Sequence, residues 1–150
     1  MNMLTTSIMT AILATAPLAH AETTAKKAAE SPKKIAEVEV SITDAALVKK
    51  DAGIRTLFLV LYDADSSMPM PYGAMKVSLD KDAKGTFYKG ALTSENVMAM
   101  SGGAPPKNLR IKARLDKDGS AGRDEPGDLI GIADHVAVGS SVKITVDKAI

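Results

Sequence analysis

Period-two alternation limits this chain more than any other feature. Residues 108–115 (NLRIKARL) put Leu109, Ile111, Ala113 and Leu115 on one face and Arg110, Lys112 and Arg114 on the other, the pattern of a half-buried strand. Residues 36–42 (AEVEVSI) repeat it with Val38, Val40 and Ile42, and residues 141–146 with Val142, Ile144 and Val146. Residues 56–62 (TLFLVLY) are apolar on both faces and read as a central strand. Residues 72–79, 86–92 and 129–138 complete a set of about seven short strands, separated by turn compositions such as 80–85 (DKDAKG). Between the first two strands, Thr43-Asp44 can cap a helical turn over residues 45–50. The fold class implied is all-β, an Ig-like or fibronectin-like β-sandwich.

Composition sharpens this. The chain has no cysteine, which excludes disulfides, thiol catalysis, thiolate zinc sites and thioether-linked haem. It has no Trp and 3% aromatics, so Val, Ile, Leu, Ala and Met must build the core, and the Cys–Trp–Cys signature of antibody domains is missing. A net charge of +1 without a basic stripe argues against nucleic-acid binding.

The N-terminus has the form of an export signal. Residues 3–18 are uncharged and mostly apolar, and Ala19-His20-Ala21 offers small residues at the positions a signal peptidase reads. No Lys or Arg precedes the run. It is short for a transmembrane helix and is interrupted by Thr and Pro. The expected organisation is a signal peptide over 1–21, a flexible Lys-rich linker over 22–35 and the sandwich over 36–150. The product is expected in the periplasm, with no membrane span after cleavage.

Chemistry is sparse. Met68-Pro69-Met70-Pro71 cannot be regular helix or central sheet, because each proline lacks a backbone donor and biases the residue before it towards extended geometry. It reads as an edge-like ribbon. Met68, Met70, Met75, Met98 and Met100 all fall within one third of the chain, two pairs of them as Met-X-Met. Thioethers suit Cu(I), and i, i+2 side chains share a face of a strand. A Cu(I) site is therefore the alternative to Met as pliable apolar filler. A blue-copper site lacks its thiolate. The Asp-rich loop from Asp116 fails as a calcium loop, since its sixth and twelfth positions are Ala121 and Gly127. It reads as a solvated hairpin loop. His135 stands without a second nitrogen ligand or a serine partner and reads as structural or surface. No enzyme and no cofactor are expected.

Several motifs carry a family resemblance. Met68-Pro69-Met70-Pro71 follows an apolar strand and an acidic turn, and Met98-Ala99-Met100 precedes the alternating basic strand. Pro126-Gly127-Asp128-Leu129 leads to Gly131, and the chain closes on Val142-Lys143-Ile144-Thr145-Val146-Asp147. In this order and spacing, residues 36–150 resemble the C-terminal periplasmic domain of CycH-type c-type cytochrome biogenesis proteins. The helical tetratricopeptide repeats that usually accompany that domain have no counterpart in this sequence. The resemblance implies an Ig-like, non-enzymatic binding or assembly module that holds apocytochrome c or contacts the cytochrome maturation machinery. It makes Met68, Pro69, Met70, Pro71, Met98, Met100, Pro126, Gly127, Asp128 and Leu129 the candidate partner-binding residues. The competing classes are a periplasmic methionine-based copper-binding protein and a structural envelope domain.

Overall fold

The computed structural model describes residues 31–50, 53–68 and 70–150. The expected signal peptide (1–21), the first part of the expected linker (22–30) and Pro69 lie outside these residues. The alternating runs form β1 (Lys34–Ile42), β2 (Thr56–Asp63), β3 (Pro71–Ser78), β4 (Gly85–Thr93), β6 (Asn108–Asp116), β7 (Leu129–Ala137) and β8 (Ser141–Val146). β1 starts earlier than its alternation suggests, and Ile35 is buried, so the chain enters the core at the end of the expected linker. Two further strands, β5 (Met98–Ala99) and β9 (Lys148–Ala149), are two residues each. Residues 98–99 read as loop from sequence, because nothing so short can show a period.

The helical turn is α1 (Ala45–Lys50). Asp44 caps it, its Oδ1 accepting the N–H of Ala46 at 2.7 Å and of Leu47 at 3.3 Å. No helix among the described residues is long and apolar enough to cross a membrane.

The strands form two sheets. The small sheet runs β4-β1-β8, and the large one β5-β3-β2-β6-β7-β9. Every pairing is antiparallel except β1 with β8, which run parallel from Glu37 opposite Ser141 to Ile42 opposite Val146. The core lies between the sheets. Val38, Val40 and Ile42 face Leu57, Leu59, Leu61, Leu109, Ile111 and Leu115, all of them buried. Full burial of each such side chain is worth about 1.5–3 kcal/mol. Residues 56–62, apolar on both faces, are central as expected, with β2 flanked by β3 and β6.

Two details bend the large sheet. Asp134 and His135 together oppose Arg110, a bulge in which His135 takes φ 52° and leaves its imidazole exposed. At Gly131 the backbone of β8 crosses β7 directly. A Cβ there would land on the Thr145 carbonyl oxygen and 2.7 Å from its carbon, so only glycine lets the two strands pass.

Candidate functional site

The outer face of the large sheet is built by the same alternation that builds the core. Because Leu57, Leu59 and Leu61 point inward, Phe58, Val60 and Tyr62 point outward. The register sets Phe58 between Lys76 and Arg114, and Val60 between Ala74 and Lys112. The cations lie over the rings: Lys76 Nζ is 5.6 Å and the Arg114 guanidinium 5.1 Å from the Phe58 centroid, and Lys112 Nζ is 5.8 Å from that of Tyr62. Phe58, Val60, Tyr62, Ala74, Lys112 and Arg114 floor a groove of about 420 Å³. Pro71 and Met100 wall one side, and residues 121–124 the other.

Met100 edges this groove, and Met68 and Met70 lie on the neighbouring turn. The turn after β2 is fixed by backbone and short polar contacts. Asp63 Oδ1 accepts the Asp65 N–H, Ala64 N–H donates to the Asn108 carbonyl, and Ser66 Oγ accepts the Met68 N–H at 3.1 Å. The loop after β5 is tied to Tyr72 twice. The Tyr72 carbonyl accepts the Met100 N–H at 2.8 Å, and the Tyr72 hydroxyl donates to the Gly103 carbonyl at 3.3 Å. β5 can lie this close because Gly73 has no side chain, where a Cβ would sit 2.8 Å from the Met98 carbonyl oxygen. Met68, Met70, Pro71, Tyr72 and Pro106 line a second hollow of about 390 Å³, which shares Pro71 with the first. Met68, Met70, Met98 and Met100 are 63%, 68%, 76% and 58% exposed.

Met75 stands apart. Ala74 pairs with Met98, so those two share the outer face, and the neighbouring Met75 faces the core, where it is 8% exposed. The five sulfurs therefore divide, with Met75 on the opposite side of β3 from Met98. Nor do Met68 and Met70 belong to an edge strand. Met68 and Met70 precede β3, and β5 rather than the ribbon forms this edge of the sheet.

Pro126-Gly127-Asp128-Leu129 sits elsewhere. Leu129 pairs with Leu115, and Leu115 with Leu57, whereas the methionine loops adjoin Leu61 and Tyr62. At a strand's rise per residue, that separates the two groups by roughly 15 Å. Pro126 and Gly127 are exposed, while Asp128 and Leu129 are buried. Asp128 accepts the N–H of Lys117 at 3.1 Å and of Glu125 at 2.9 Å, and its own carbonyl accepts the Ile150 N–H. This motif is a clasp that closes the β6–β7 loop onto the end of the chain.

That loop is not simply solvated. Arg114, an outward residue by alternation, is 3% exposed. Its Nη2 is 2.9 Å from Asp116 Oδ2 and donates to the Ser120 carbonyl, and its Nη1 donates to the Gly122 carbonyl and to Asp124 Oδ1. Lys112 Nζ holds the same Asp124 at 2.8 Å. Burial pushes the Asp116 carboxyl up, and Asp118 adds to this, against the charge of Arg114. Burial also raises Asp124, but the hydrogen bonds and charges of Lys112 and Arg114 more than offset it and hold that carboxyl below its usual range. Asp116 and Asp124 thus serve an internal cation. Composition hinted at this network only through an Asp-rich loop following a basic strand.

No family model, curated protein or solved structure matches this chain.

Proposed function

We propose that the domain is a non-enzymatic binding or assembly module of the periplasm, and that the methionine-edged outer face of its large sheet holds an extended, unfolded polypeptide. The carrying observation is the set of four exposed methionines on two adjoining loops, with Met100 lining the groove floored by Phe58, Val60 and Tyr62, Met68 and Met70 lining the hollow beside it, and Met98 on the same sheet face as Ala74. Large apolar side chains left in water on adjoining loops mark a partner surface, and unbranched thioethers adapt to varied sequences. Apolar contact is favoured over strand addition at this end, because β5 already occupies the edge of β3 beside Gly73 and Ala74.

The resemblance to CycH-type proteins supplies the partner: apocytochrome c, or a component of its maturation machinery. What supports an Ig-like reading is strand adjacency. β1 beside β4, and β6 between β2 and β7, follow in chain order the B–E and C–F–G neighbours of that sandwich. The parallel β8 departs from that pattern. A second reading, Cu(I) capture, draws on Met68 and Met70 sharing one hollow beside Met100. Cu(I) affinity that survives leucine at Met68, Met70, Met98 and Met100 would end it.

The primary test is titration with unfolded apocytochrome c, using folded holocytochrome c as control. Saturable binding to the apo form alone is expected, weakened by serine at Met98 and Met100. Equal binding to both forms, or none, would refute the polypeptide reading.

A further inference from the structure

We propose that Met68, Met70, Met98 and Met100 are a modification site, oxidised by peroxide to sulfoxides that shut the polypeptide surface. The consequence for binding rests on the function proposed above, whereas the pattern of oxidation rests on geometry alone. These sulfurs belong to side chains 58–76% exposed, while Met75, on the same strand system, is 8% exposed and packed in the core. Susceptibility of a thioether follows its access to the oxidant. The fold thus holds its own protected reference beside the exposed set.

The loops are also built to survive the change. Ser66 Oγ holds the Met68 backbone, the Tyr72 carbonyl holds the Met100 backbone, and strand pairing with Ala74 holds Met98. None of these anchors uses a thioether, so oxidation alters what the face presents without releasing the segments that present it. In the reaction a sulfur lone pair attacks one oxygen of hydrogen peroxide. The S–O bond forms as the O–O bond breaks, and the proton on the transferred oxygen passes to the departing hydroxide to give water. Sulfur loses two electrons and peroxide gains them. An apolar tip becomes a polar S=O group, which must be desolvated against any apolar segment. Methionine sulfoxide reductases, one for each sulfoxide epimer, reverse the step: a dithiol is oxidised to a disulfide and the oxygen leaves as water.

The test treats the folded chain with hydrogen peroxide, maps the added oxygens by peptide mass spectrometry, and measures apocytochrome c binding before and after. Met68, Met70, Met98 and Met100 should oxidise at least about tenfold faster than Met75, whose sulfur is reached only through local opening. The thermal midpoint should hold while affinity falls at least about tenfold, and the two epimer-specific reductases supplied with a dithiol should restore it. The variant with leucine at all four positions controls for damage elsewhere: whatever its affinity, peroxide should not change it. Oxidation of Met75 at the rate of the others would overturn the assignment. So would unchanged binding by the fully oxidised face, or an equal peroxide response in the leucine variant. An untreated chain that binds no unfolded polypeptide refutes the proposed function itself, and with it the switch, even if the oxidation map comes out as expected.

Discussion

Two loop systems reach the outer face of the large sheet, and they treat their side chains in opposite ways. The β6–β7 loop folds over Arg114, which is bound by Asp116 at the end of β6, by Asp124 and by two loop carbonyls. The methionine loops are held by backbone and short polar groups, and point their long apolar side chains into water. Both stretches look chemically suggestive in one dimension. In the fold, the first spends its charges on its own cohesion, and the second leaves its apolar surface unused. A side chain already satisfied by its own chain has little left for a partner, which is why the methionine loops carry the functional proposal.

The sharpest way to break this contrast is at Arg114. Arg114→Leu leaves Asp116 and Asp128, whose carboxylates lie 2.9 Å and 3.9 Å from the guanidinium, buried without their cation, and should cost about 3–5 kcal/mol in urea unfolding. A loss below about 1 kcal/mol would mean that the backbone clasp at Asp128 holds the loop by itself. The methionines supply the next comparison. Met75→Ala empties core volume and should cost about 2–5 kcal/mol, whereas Met98→Ala should stay within about 0.5 kcal/mol of the parent. Similar losses at both positions would place Met98 in the packing rather than on a binding face.

The smallest effect concerns pH. Asp124 is held below its usual range in the folded chain, so the stability it contributes is present above the unfolded carboxyl value and lost as pH falls through the folded one. Asp116 is raised, so acidification from neutrality first relieves its cost. Asp124→Asn should therefore flatten the acid limb of a stability–pH profile. An unchanged limb would assign acid loss to other carboxylates.

How far the sequence could be read followed the range of the forces involved. The long strands were legible because a half-buried strand writes its burial into every second residue, and the Asp44 cap because it acts within three positions. β5 and β9 were not, since their pairing depends on Gly73 and on Ile130 presenting a backbone at the right place. Alternation also marked Arg114 as outward, which is correct, but outward meant solvent only if nothing folded over it. The loop that does so begins three residues later and is drawn back by Asp116, which accepts the Ser120 N–H, and by Arg114, which donates to the Gly122 carbonyl. For the candidate site, the cluster of methionines was visible. The inward turn of Met75, and the separation of Pro126–Leu129 from the Met-Pro segment, required the sheet register.

The parallel pairing of β1 with β8 has a kinetic consequence. Glu37 meets Ser141 and Ile42 meets Val146, so the first and last long strands close a loop that spans most of the domain. Contacts of such sequence separation form slowly, because the entropy of closing the loop is lost before the contact repays it. β1 can pair with β4 early, but its other edge stays open until β8 is available. A chain emerging from the ribosome or a translocation channel therefore cannot finish this sandwich until its final strands are free. From the release of β4 until that of β8, one edge of β1 has no strand to pair with.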